Sequence, residues 1–159
     1  MKTILCVDDD ACVLDLLRQA LIPRGYRVLV TTSTVAAPNF LKHEDVDLVL
    51  LDLNMPKKHG LEVYKEVEAH GPVPVLFVTA CTRSFMAQAE EFRRNYEKEL
   101  HAARTEMLGK PFTLDQLYSK VESLVGPGSP SEVASESNPS LLERFRRAVR
   151  AFRGVPVTG

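Results

Sequence analysis

Val46-Asp47-Leu48-Val49-Leu50-Leu51-Asp52 is the stretch that decides how this chain folds. It is the most continuous apolar run in the sequence and it does not alternate: Leu48 to Leu51 are consecutive aliphatic residues closed by an acid. A run this short and this apolar reads as a strand buried on both faces, the situation in a parallel sheet covered by helices on each side. The flanking sequence supplies those helices. Upstream, Ile4-Leu5-Cys6-Val7 is a short strand that stops at acids. Val13, Leu14, Leu16, Leu17, Ala20 and Leu21 then recur at helical spacing until Gly25. Tyr26 to Thr31 is rich in β-branched and aromatic residues and reads as a strand. A weak helix from Ala36 to Lys42 follows, with Pro38 tolerable only near its start. Downstream, Leu61 to Ala69 is predicted helical and Val73 to Val78 a strand. Arg83 to Arg104 is predicted as a long polar helix, and Glu106-Met107-Leu108 as a short strand. Thr113 caps a final helix with Leu114, Leu117, Val121 and Leu124 on one face. Five strands alternating with five helices predict an α/β fold with right-handed crossovers and one doubly wound parallel sheet.

Composition sets the limits. The chain has 159 residues, 45% of them hydrophobic and 26% charged, with 20 Lys and Arg against 21 Asp and Glu. That balance excludes a basic nucleic-acid coat and an acidic disordered chain as descriptions of the whole. No apolar run approaches the roughly 20 residues that a membrane span requires. The N-terminus, with one Lys and a short uncharged stretch before Asp8, does not read as a secretory signal. Cys6, Cys12 and Cys81 lack C-x-x-C spacing and read as reduced thiols, so a cytoplasmic location is expected.

In a doubly wound sheet the chemistry gathers outside the carboxyl ends of the strands. There the sequence places Asp8, Asp9 and Asp10 after the first strand, Asp52 after the third, Thr79 after the fourth and Lys110 after the fifth. Singly, each has an ordinary reading as a helix cap, a turn residue or a solvated lysine. Together they call for a cation, because carboxylates held close repel one another. A hard oxygen site with few protein ligands and an open position suits Mg2+.

The motifs Val7-Asp8-Asp9, Asp52-Leu53-Asn54-Met55-Pro56 with Gly60, Val78-Thr79-Ala80 and Lys110-Pro111-Phe112 resemble, in this order, the receiver domain of two-component response regulators. The stand-alone chemotaxis regulator is the simplest such protein. The resemblance covers residues 2 to 125, about four-fifths of the chain, and implies a flavodoxin-like sheet of order 2-1-3-4-5. It implies that Asp52 accepts a phosphoryl group from a histidine kinase or phosphotransfer protein in bacterial phosphorelay signalling. Asp9, Asp52 and the main-chain carbonyl of Asn54 would bind Mg2+, and Asp8 would hold it through water. Lys110 would pair with the phosphoryl group and beforehand brace Asp9 or Asp52. Thr79 and the Ala80 amide would contact the phosphoryl group once it is present, with Thr79 and position 107 forming the switch. The only chemistry implied is the protein's own phosphorylation and dephosphorylation, so it is not an enzyme in the ordinary sense.

The sequence departs from the family pattern in three places. Met107 stands where an aromatic usually swings inward with the hydroxyl residue. It can fill the space flexibly but offers no ring. The interval from Thr79 to Lys110 is 31 residues, longer than the family's, with the excess in Arg83–Arg104, the region expected to form the output face and any dimer contact. Lys57-Lys58-His59 replaces a more apolar and acidic turn and reads first as exposed turn residues. Asn54 and Cys81, at positions that tune phosphoryl lifetime in the family, are neither strong acids nor strong bases, so intermediate persistence is expected.

The expected organisation is a receiver domain over 1–125, a flexible linker over 126–140, a short basic amphipathic helix over 141–153 and a tail over 154–159. The linker is rich in Gly, Pro and Ser and has almost no apolar content. In the helix, Leu141, Leu142, Phe145, Val149 and Phe152 share a face beside five arginines and one glutamate. Its expected role is docking to a partner, then docking to its own domain, with an anionic membrane third. Nucleic-acid contact is not expected from five arginines without a stacking platform. The residues after Gly126 are too few for a separate effector module, so output by protein contact is the expectation. The competing reading is a phosphorylation-independent scaffold or adaptor of the same fold, docking through the Arg83–Arg104 face and the C-terminal helix. A phosphohydrolase is disfavoured by Asn54, where a second acid would be needed.

Overall fold

The computed structural model describes residues 1–53, 55, 60–80, 104–129 and 143. In chain order the elements are β1 (Thr3–Val7), α1 (Ala11–Leu21), a 3₁₀ turn (Ile22–Arg24), β2 (Arg27–Thr31), α2 (Ala37–His43), β3 (Leu48–Leu51), α3 (Gly60–Glu68), β4 (Val75–Ala80), β5 (Thr105–Lys110) and α4 (Leu114–Val125). All strand pairs are parallel and the sheet order is β2-β1-β3-β4-β5. This is the doubly wound, flavodoxin-like arrangement expected from the alternation of elements.

Strand alternation sorts the core into two layers. Ile4, Cys6, Leu48, Leu50, Leu76, Val78 and Leu108 point to one face, where α1 and α4 cover them. Leu5, Val7, Val49, Leu51, Val75 and Phe77 point to the other, beneath α2 and α3. The central strands β1 and β3 are buried at every position, whereas β2, at the sheet edge, has Arg27 exposed and the rest half-buried. The unbroken apolar run in β3 is the imprint of this two-sided burial.

The helices begin where their side chains can cap them. Asp10 accepts a hydrogen bond from the Cys12 amide at 2.8 Å, and α1 buries Val13, Leu14, Leu16, Leu17, Ala20 and Leu21. Each Val or Leu side chain contributes about 1.5–3 kcal/mol when fully buried. The 3₁₀ turn then ends at Gly25 with φ +85°, a left-handed conformation that glycine adopts without strain. At α4 the Gln116 amide donates to Thr113 Oγ1 at 3.2 Å and the Thr113 amide to Gln116 Oε1 at 2.9 Å, a reciprocal capping box. Leu117, Val121 and Leu124 form its buried face, and Leu114 is half-buried.

Some expected boundaries shift. β3 is confined to Leu48–Leu51, and β5 runs on to Lys110 because Gly109 and Lys110 keep register with Thr79 and Ala80. Arg104, expected as the last residue of a helix, is not helical; the rest of Arg83–Arg104 down to 103 that was read as that helix lies outside the described residues. So do Asn54, Lys57-Lys58-His59, Cys81, residues 130–140 of the expected linker, and the expected helix and tail apart from Glu143. The first residues of the expected linker make contacts with the domain. Gly126 to Ser129 lie against the 3₁₀ turn, with Tyr26 Oη donating to the Gly126 carbonyl at 2.8 Å and the Ser129 amide to the Gly25 carbonyl at 3.3 Å. Apolar content signalled no docking there because backbone hydrogen bonds supply it.

Candidate functional site

Parallel strands deliver their carboxyl ends to one edge, and the neighbours β1, β3, β4 and β5 place the expected residues side by side there. Asp8 and Asp9 follow β1, Asp52 follows β3, Thr79 is the penultimate residue of β4 and Lys110 is the final residue of β5. Asp8, Asp52, Thr79 and Lys110 are all buried, while Asp9 is exposed. The Ala80 backbone pairs in register with Lys110, whose peptide bond to Pro111 is cis. The Asn54 carbonyl lies outside the described residues.

Lys110 reaches across two strands. Its Nζ donates to Asp8 Oδ2 at 2.9 Å and lies 3.6 Å from Asp52 Oδ2. The sequence reading left Asp9 or Asp52 as the acid that lysine braces; the structure gives the shorter contact to Asp8. The other Asp8 oxygen, Oδ1, accepts from the Asp10 amide at 2.9 Å. Asp10, one of three consecutive acids, is thus spent as the cap of α1 and as a backbone donor.

One carboxylate oxygen each from Asp8, Asp9 and Asp52 can be chosen so that all lie within 4.8 Å of one another. Burial pushes the Asp8 carboxyl up to about 6, with the Asp52 charge adding to the push, while Lys110 and the Asp10 amide oppose it. Among the described residues, one ammonium, Lys110, faces these acids and leaves them short of positive charge. A compact, all-oxygen, partly open donor set of this kind fits a hard divalent cation.

A pH dependence follows. Asp8 has an ordinary value of 3.8 and a folded value of about 6, so the folded chain holds this proton more tightly than the unfolded chain. The associated stability is present below pH 4 and is lost as pH rises to about 6. At about 1.4 kcal/mol per pH unit of displacement, the loss is at most about 3 kcal/mol. Urea unfolding in EDTA is expected to show this decline, and Asp8→Asn is expected to flatten it. A decline of the same size in Asp8→Asn would assign it elsewhere.

Thr79 is the least comfortable residue at the edge. It is fully buried, and its Oγ1 has no hydrogen-bond partner among the described residues. An unmet buried hydroxyl costs about 1–3 kcal/mol. Thr79→Val, which keeps the shape and removes the hydroxyl, is therefore expected to raise stability by about 1 kcal/mol in denaturant titration. A loss of that size would mean that the hydroxyl is already satisfied. Met107 pairs in register with Phe77 and is half-buried in the same layer. Phe77 in turn meets the Tyr64 ring, tilted by 60° with centroids 5.2 Å apart, so aromatic volume in this layer comes from β4 and α3. Cys6 is no nucleophile, since burial pushes its thiol far above the reactive range. Among the described residues no helix is long and apolar enough to cross a membrane.

With this geometry in hand, comparison with known proteins is specific. The family described as the response regulator receiver domain matches residues 4–122. Response regulator MprA of Mycobacterium sp. (strain KMS) is 33% identical over 130 residues, 81% of this chain and 53% of that protein. The chain thus spans about half the length of the curated relatives it matches. A response regulator receiver protein from Burkholderia phymatum shares 30% identity at a TM-score of 0.66, covering 82% of this chain and 100% of that one. Response regulator protein TrrA of Thermotoga maritima, solved in complex with Mg(2+)-BeF, shares 30% identity at a TM-score of 0.61, covering 78% and 99%.

Proposed function

The chain belongs to the response regulator receiver family, and from that membership we propose that it is a phosphorylation-controlled switch whose acceptor is Asp52. The observation that carries this reading is the company Asp52 keeps: a buried carboxylate beside the buried Lys110 ammonium, at the same edge as a Thr79 hydroxyl without a hydrogen-bond partner among the described residues. A carboxylate is a weak nucleophile, so position and charge must do the work. An Asp52 oxygen attacks phosphorus, the bond from phosphorus to the donor breaks, and an acyl phosphate stands on Asp52. Lys110 then faces a phosphoryl oxygen, and the Thr79 hydroxyl and Ala80 amide donate to the same group. Gaining that partner gives the Thr79 hydroxyl a reason to move, and this biases the surface between two states.

Asp9, Asp52 and the Asn54 main-chain carbonyl are the proposed Mg2+ ligands. Asp8 suits contact through water, because its oxygens already accept from Lys110 and the Asp10 amide. When bound, Mg2+ supplies the positive charge that lets a carboxylate and a phosphoryl group approach. The donor is a histidine kinase or a phosphotransfer protein, and output is by protein contact through the Arg83–Arg104 face or the 141–153 segment. The cysteine usage supports a cytoplasmic setting. Mass spectrometry of the intact protein after acetyl phosphate, with and without Mg2+, tests the reading: a Mg2+-dependent phosphoryl adduct is expected, and its absence from folded chain and from chain mixed with a competent phosphotransfer partner would overturn it.

Met107 favours one other reading, a scaffold that keeps the fold without the switch. It predicts partner binding that Asp52→Ala and phosphodonor leave unchanged. Against it stands the cost of keeping like carboxylates buried together, which a scaffold has no need to bear.

A further inference from the structure

We propose that Tyr26 and Gly128 form a clamp that extends the rigid unit to Ser129 and fixes where the C-terminal segment leaves the domain, at the end of the sheet opposite the acids. Three contacts converge there. The Tyr26 side chain is buried, and its hydroxyl donates to the Gly126 carbonyl at 2.8 Å. The Ser129 amide donates to the Gly25 carbonyl at 3.3 Å. Gly128 is held so close that a Cβ on it would collide with the Arg24 carbonyl oxygen and stand 3.0 Å from the Gly25 carbonyl carbon. Only glycine fits that approach.

The surface that receives the segment is itself braced. The Arg24 guanidinium lies 3.9 Å from the Tyr118 ring centroid and 3.8 Å from Glu122, both on α4. The 3₁₀ turn, the end of α4 and Gly126–Ser129 therefore hold one another. Topology sets the location. Gly25 precedes β2 by a single residue, so it lies at the amino edge of a parallel sheet, and α4 leads from the carboxyl edge at Thr113 back to Gly126. Twelve helical residues separate those ends by about 18 Å. The clamp thus fixes the point at which the chain leaves the domain, at the edge opposite the acids.

The test uses the full chain and does not depend on phosphorylation. Amide exchange is expected to show Ser129 protected at least tenfold over the same residue in a free peptide. Gly128→Ala and Tyr26→Phe are each expected to remove that protection while Leu117 and Val121 amides stay protected. Nitroxides on Cys12, which is exposed, and on Ser131→Cys, in a Cys81→Ala background, give the direction. One narrow distance distribution is expected, centred beyond about 16 Å, the length of α1, and broadened by Gly128→Ala. Peptide-like exchange at Ser129, or a broad distribution before any substitution at Gly128, would overturn the clamp.

Discussion

Asp52→Ala takes up no phosphoryl group: incubated with acetyl phosphate and Mg2+, it is expected to show less than about a hundredth of the wild-type adduct in the intact mass spectrum. The effect is nearly all-or-none because the substitution removes the nucleophile itself, whereas loss of a positioning group leaves residual chemistry. The fold should survive. Lys110 keeps its 2.9 Å contact with Asp8, and one of two buried like charges is gone. Stability in Mg2+-free buffer should accordingly equal or exceed that of wild type. An adduct of wild-type size in Asp52→Ala would move the acceptor to another residue, and an unfolded variant would show that the carboxylate holds the edge together.

Lys110→Ala carries the second large effect, on stability and on coupling. The ammonium lies within 3.6 Å of both Asp8 and Asp52, and its side chain is 7% exposed. Removing it leaves two buried carboxylates without their cation, a change that costs about 3–5 kcal/mol when a buried pair is broken. The loss should be greatest at pH 7 and above in EDTA, where Asp8, held at about 6, is ionised. It should shrink at pH 5 and on adding Mg2+, which at a hundred times its Kd returns about 2.7 kcal/mol. Some phosphoryl uptake should persist, because Asp52 and the proposed metal ligands remain, but phosphorylation should no longer alter partner binding. A variant as stable as wild type in EDTA at pH 8 would mean that Lys110 neutralises neither acid.

The fold was legible because it depends on burial, and burial leaves a one-dimensional trace. The unbroken Leu48–Leu51 run announced a central strand, and the spacing of Val13 to Leu21 announced the face of α1. Acids and a lysine directly after apolar runs located the site, since parallel strands end at a common edge. Of the three acids after β1, the sequence could not say which would cap α1, and Asp10 does. It also left open which acid Lys110 would meet. Met107 was recognisable as a departure, but not its register opposite Phe77 or the Tyr64–Phe77 ring contact in the same layer.

By itself, then, the sequence determined the types of the described elements, the doubly wound class and the edge where Asp8, Asp9, Asp52, Thr79 and Lys110 gather. Only the tertiary structure decided the bond from Lys110 to Asp8, 102 residues apart, the upward push on Asp8, the Thr79 hydroxyl without a partner among the described residues and the Tyr26 contact with Gly126, 100 residues apart. The reason is physical. Periodicity records which side of an element is dry, and each residue carries that record locally. Partnership between polar groups distant in the chain depends on ångström distances that exist only after the layers have packed.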